Sequence, residues 1–228
     1  MAGDNGTTTY GTDPKKPWGS MFHAYWPRCT VSGNIVTQKH GPVDMAGRGM
    51  YVHALQGMRP NLSAASHNFC NFQGPTYSAV MWEFTTPPSY GSTSISVGCV
   101  ATDDKIIVAG ATCKPTHTAS RTDSEVGWPE PTSMSFEWQQ KDSKAGAHVD
   151  ANWKSRTDRI DVLQEVPGFV KAIMSQAGGL KPYIYQFVPE EKFKIKVTGE
   201  DGEVKEEEGR LIVEATFISG EQKKGSSA

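Results

Sequence analysis

Apolar and polar side chains alternate along most of this chain with a period of two. In the stretch 92–100, Ile95, Val97 and Cys99 point one way while Ser94, Ser96 and Gly98 point the other. That alternation predicts a half-buried strand. The same rhythm predicts a strand over 22–31, a tight turn at Ser32-Gly33 into 34–38, a loop over 39–47 and a strand over 49–58. Residues 59–74 read as irregular. A strong strand follows over 76–85, closed by Pro87 and Pro88, and then a hairpin of 93–101 with 105–110. Beyond a polar loop at 119–131, a second hairpin pairs 132–140 with 145–154, with Met134, Phe136 and Trp138 on one side. Further strands are expected at 159–163, 182–188, 193–198 and 209–219, the last long enough to close a barrel.

The period changes once. Val166, Phe169, Val170, Ile173, Met174 and Ala177 form one helical stripe, with Pro167 suited to the first turn and Gly178-Gly179 to the stop. One short amphipathic helix among so many strands predicts an all-β fold, a lipocalin-like antiparallel β-barrel with the helix packed against it. Residues 1–16 and 220–228 read as a flexible lead-in and tail around a single domain at 17–219.

Composition narrows the function. With 228 residues and a net charge of -2, the chain can bury one substantial core and has no global basic field for nucleic acid. It contains no apolar run of the ~18–20 residues a spanning helix needs. Its first ten residues lack the basic and apolar regions of a signal peptide, which points to the cytoplasm. Cys29, Cys70, Cys99 and Cys113 are widely spaced and read as reduced structural thiols. Cys113 and His117 are too few for a metal site, so no metal and no cofactor is expected. Phosphate-binding loop, nucleophile elbow and zinc-helix motifs are all missing from the sequence.

Several long segments carry a family resemblance. They include Gly11-Thr-Asp-Pro-Lys-Lys-Pro-Trp-Gly-Ser20, Tyr25-Trp-Pro-Arg-Cys29, Asn71-Phe-Gln-Gly-Pro-Thr-Tyr-Ser-Ala79 and Glu83-Phe-Thr-Thr-Pro-Pro-Ser-Tyr-Gly-Ser-Thr93. Trp128-Pro-Glu-Pro131, Glu165-Val-Pro-Gly-Phe-Val-Lys171, Lys181-Pro-Tyr-Ile-Tyr-Gln186 and Glu214-Ala-Thr-Phe-Ile-Ser219 follow in the same order. Together they resemble the second of two tandem lipocalin-like domains in the fungal survival-factor family (Survival factor 1-like proteins). The resemblance implies binding of an apolar lipid such as ceramide, its transport between endoplasmic reticulum and Golgi, and a part in the oxidative stress response. It carries over no catalytic residues. It also implies a separate, first lipocalin-like domain and an N-terminal amphipathic helix that this sequence does not contain, and at most peripheral membrane contact.

A lipid of this kind needs a dry slot and a few polar groups for its amide and hydroxyls. On the strand at 76–85, Trp82 and Phe84 share a face with Val80, and Glu83 shares the other with Tyr77 and Met81. Tyr77, Trp82, Glu83 and His53 are the expected ligand contacts, against the plainer expectation that Glu83 meets solvent and His53 is a satisfied structural residue. His23, Tyr25, Trp26 and Arg28 form either a wall for a polar head or an aromatic core strand. Trp18, Phe22 and Trp26 are the expected interface to the other domain. The mixed-charge run Arg156, Asp158, Arg159 and Asp161 reads as a salt-bridge network. Two rival functions stand beside lipid binding: a lipocalin-fold pericyclase or hydratase, which needs shape more than a nucleophile, and a structural domain that packs on a partner.

Overall fold

The structure is a computed structural model that describes residues 6–13, 15–169, 171 and 180–219. Nearly all of it is antiparallel β-sheet, in two layers. The small layer contains β1 (Thr7–Tyr10), β2 (Gly19–Thr37) and β3 (Gly41–Gln56), in that order. Its segment 7–10 lies inside the expected flexible lead-in. It is instead a paired strand, with Thr8 opposite Met21 and Tyr10 donating its hydroxyl to Met21 Sδ at 3.0 Å.

The expected turn at Ser32-Gly33 and the expected loop at 39–47 are not there. β2 runs straight on, Ser32 pairs with Ala46, and the reversal comes at Gln38–His40. There His40 N–H bonds Thr37 Oγ1 and Gly41 takes the left-handed conformation at φ 65°. The result is one long hairpin that projects past the body.

The large sheet follows a one-turn helix α1 (Pro60–Ser63). Its strands are β4 (Ser66–Gln73), β5 (Ser78–Thr85), β6 (Ser94–Ala101), β7 (Ile106–Gly110), β8 (Cys113–Thr122), β9 (Pro129–Gln139), β10 (Gly146–Asn152), β11 (Asp158–Asp161), β12 (Leu180–Phe187), β13 (Phe193–Thr198) and β14 (Val204–Ser219). The path is β7-β6-β5-β4-β14-β13-β10-β9-β8. β14 organises it: 204–209 pair with β13, 210–217 with β4, and 213–219 with β12, which carries β11.

The sheet curls into a half-barrel. Its edges β7 and β8 share no ladder among the described residues. Side chains bridge the gap: Trp138 Nε1–H donates to Val80 O at 2.9 Å, and Ala109 N–H to Gln140 Oε1 at 3.0 Å. Gly98 permits this approach, because a Cβ there would lie 2.7 Å from both Cys113 Sγ and Val80 O.

The concave side is filled by Phe72, Met81, Phe136, Trp138, Tyr185 and Phe187, each almost fully buried. β6 is buried on both faces, not one. Val97, Cys99 and Ala101 lie under the hairpin, and Val100 faces the main core. A two-layer cover removes the solvated face that a period of two implies. The helix expected at 166–177 lies largely outside the described residues, as does the tail 220–228. Helical geometry begins at residue 168, and Lys171 N–H bonds Pro167 O at 3.1 Å. No helix of the described residues is long and apolar enough to cross a membrane.

Candidate functional site

The four expected ligand residues occupy different places. Tyr77 sits at one mouth of the half-barrel, beside an open groove of about 450 Å³. Ile106, Ile107 and Val197 line that groove together with Lys105, Glu203 and Lys205, so its rim is charged. His53 is exposed on the hairpin's outer side, its ring 6.0 Å from that of Phe22. Trp82 and Glu83, neighbours in sequence, face opposite sides of β5 as the alternation predicts.

Glu83 lies at the other end of the concave face and is half-buried. Asn68 Nδ2–H donates to Glu83 Oε1 at 3.2 Å, and Asn68 Oδ1 lies 2.8 Å from His117 Nε2. Burial raises the Glu83 carboxyl, with the Asn68 hydrogen bond and the Lys114 charge opposing it, and burial lowers the His117 imidazole.

A buried ionic network closes the same end. Glu130 is 1% exposed and accepts from Arg121 at 2.7 Å and from Arg156 at 2.6 Å. Asp123 accepts from Arg159 at 2.8 Å and from the Tyr185 hydroxyl at 3.0 Å. Burial pushes Asp123 up, yet bonds from Arg159, the Glu125 N–H and Tyr185 outweigh it and hold the carboxyl at about 2. The network takes Arg156 and Arg159 from the expected run. Its acidic partners come from the segment read as a polar loop, into which β8, a strand the pattern does not show, runs as far as Thr122 and in which β9 already begins at Pro129. Asp158 bonds its own neighbour's N–H, and Asp161 pairs with Lys171 at 2.9 Å.

Trp82 belongs to the seam between the layers. Its ring lies 5.0 Å from His23, 5.7 Å from His67 and 6.1 Å from Phe69. His23 stacks on Tyr25 at 6.0 Å. Burial lowers His23, lowers His67 to about 4, and raises the Tyr25 phenol. His23 and Tyr25 point inward from β2, whereas Trp26 is 65% exposed on its outer face. Strict alternation would send Arg28 outward with Trp26. A bulge between Trp26 and Cys29 turns it inward. There its guanidinium donates to Gly74 O and Ser78 Oγ, both at 3.0 Å, and to Asp103 Oδ1 at 2.7 Å. His67 and Thr216, cross-strand partners on the seam, were not expected. With both faces of β4 covered, its pattern carries no polar contrast to mark them.

The hairpin's outer face is mostly apolar, interrupted by His53. The pairs Phe22–Leu55, Ala24–His53 and Trp26–Tyr51 lead outward to Val31–Gly47, Gly33–Met45 and Ile35–Val43. Tyr51 is 59% exposed, Leu55 58% and Ile35 55%. The body-facing side of the same ribbon carries Thr30, Arg48, Ser32, Asn34 and Asp44, together with Ala46 and, at the tip, Pro42 and the exposed Val36. Trp18, also exposed, lies at the base with its ring 5.0 Å from Tyr90. The cysteines are unpaired; burial raises the thiols of Cys70, Cys99 and Cys113, the last two to about 11 and 12.

Among solved structures, CghA in complex with Sch210972 superposes with a TM-score of 0.56 at 12% identity, over 94% of this chain and 65% of that one. Kievitone hydratase from Nectria haematococca gives 0.54 at 12% identity, over 93% and 56%. These likenesses concern the fold, which is lipocalin-like. In sequence, the chain is 54% identical to the ceramide-binding protein svf-1 of Neurospora crassa over 95% of its length and 58% of that protein. It is 42% identical to ceramide-binding protein SVF1 of Candida albicans over 95% and 57%. The chain thus spans less than two thirds of the relatives it matches. The Svf1 family profile matches residues 1–219, and the chain belongs to the Svf1 family.

Proposed function

We propose that this chain is a ceramide-binding module that acts without a catalytic step. It serves a survival-factor protein that moves sphingolipid between endoplasmic reticulum and Golgi and supports the oxidative stress response. The observation that carries the reading is 54% and 42% identity, over 95% of the chain, to relatives named ceramide-binding proteins. The apolar outer face of the hairpin supports a second part of it. A two-stranded ribbon with one bare apolar face is normally covered. On this reading a further lipocalin-like domain docks there, against Phe22 and Trp26 with Trp18 at the border, and the protein touches membranes only peripherally.

The test is mass spectrometry of lipids that copurify with the natively expressed chain. About one ceramide per chain is the expected result, and no enriched lipid overturns the reading. A second reading, an enzyme of hydratase or pericyclase type, draws on the Glu83–Asn68–His117 chain, which joins a raised carboxyl to a neutral imidazole. It predicts that a bound compound leaves chemically changed. Ceramide recovered intact opposes it.

A further inference from the structure

Seven buried side-chain polar atoms among the described residues have no hydrogen-bond partner. Native chains leave few such atoms, because each forfeits its hydration without return. Here they are concentrated. Six of the seven belong to the seam: both ring nitrogens of His23, the Tyr25 hydroxyl, His67 Nδ1, and the hydroxyls of Thr8 and Thr216. The seventh, on Ser96, lies on the concave face opposite Glu83. His23 is 5% exposed and Thr216 3%. The rings of His23 and His67 both lie within 6 Å of the Trp82 ring, on strands of opposite layers.

These atoms share a chemistry. Burial keeps both imidazoles uncharged, so the seam offers neutral donors and acceptors beside an indole wall. A phosphate placed there would be a buried charge facing no cation on those five residues, which is costly. An amide or hydroxyl would be matched.

We infer that the seam between the hairpin and the main sheet is the subsite for the neutral polar head of the lipid, its amide and hydroxyls bonded by His23, Tyr25, His67 and Thr216. This rests on the ceramide reading above and adds where the head sits and which heads are refused. Trp82 walls the subsite, and the hairpin covers it.

The test uses the full chain, a short-chain fluorescent ceramide, the corresponding ceramide 1-phosphate, and the variants Tyr25→Phe and Thr216→Val. Each variant removes one partnerless hydroxyl at nearly constant volume. The expected result is a roughly five- to tenfold loss of ceramide affinity per variant, with Tm unchanged or raised, and phosphate-bearing ceramide bound at least ~10-fold more weakly by the native chain. Unchanged ceramide affinity in both variants overturns the assignment and leaves the ceramide reading intact. So does equal binding of the phosphorylated lipid. A fall in Tm that accompanies the lost affinity assigns the hydroxyls to the apo fold and likewise overturns it. Failure of the native chain to bind ceramide overturns both readings together.

Discussion

Gly98 shows how one missing side chain shapes this molecule. Its empty position lets the β8–β9 edge close on β5 and β6 and lets Trp138 reach Val80 O. Gly98→Ala is expected to cost about 1–3 kcal/mol through overpacking, read as a lower urea midpoint with an unchanged slope. His67 makes the fold sensitive to acid. Its imidazole, with a pKa near 4 in the fold against the ordinary 6.5, binds a proton when unfolded that it refuses when folded. Stability is therefore complete above pH 6.5 and falls as pH drops toward 4, by up to ~3 kcal/mol. His23 and His117 act in the same direction. Glu83, with a raised pKa, works oppositely: its destabilisation appears as pH rises through the carboxylate range. Thermal melts across pH 4–7 should show a declining Tm on acidification, and His67→Phe should flatten that slope.

At the level of elements, the long hairpin matters most. Its register places every outer-face pair on the side away from the body, so a mostly apolar strip runs along β2 and β3. Exposed side chains contribute little to the stability of the fold they sit on. The double substitution Trp26→Ser with Leu55→Ser is expected to change unfolding free energy by less than about 1 kcal/mol. The exposed strip is expected to make the chain self-associate at high concentration, measured by sedimentation, and the same substitution to abolish that association. Unchanged association would place the sticky surface elsewhere. β6 and β4 teach the complementary point: β6 keeps its alternation although both of its faces are buried, and β4, roofed in the same way, shows no alternation at all. For that reason β4 reads as irregular in sequence although it pairs along its whole length with β5 and with β14.

Across the whole molecule, the two layers are joined by contacts distant in sequence. Arg28 is the clearest, its side chain 3% exposed and bonded to groups 46 to 75 residues away. Its four acceptor residues, Gly74, Pro75, Ser78 and Asp103, lie at the junction of hairpin and half-barrel, and a lysine could not reach them with one ammonium. Arg28→Ala should loosen the hairpin as a unit. Hydrogen exchange is expected to quicken in β2 and β3 by ~10-fold or more and to stay unchanged in β9 and β10. Uniform acceleration would show instead that the layers unfold as one. If the head of the lipid occupies the seam, the same variant should weaken ceramide binding through the lid rather than through any contact.

The sequence by itself determined the class and most of the element order: the strands at 193–198, the hairpin of β6 with β7 and that of β9 with β10 need only local alternation and local turn chemistry. It also determined the opposite facing of Trp82 and Glu83, since neighbours on a strand must diverge. Tertiary structure decided the rest. The straight run through Ser32-Gly33 depends on β3 pairing across the whole ribbon, and the inward Arg28 depends on a bulge. The seam, which joins His23 and Tyr25 to His67 and Thr216, exists only because a hairpin from the first quarter of the chain roofs strands from the middle and the end. Alternation specifies which way a side chain points; it carries no information about what is laid over it.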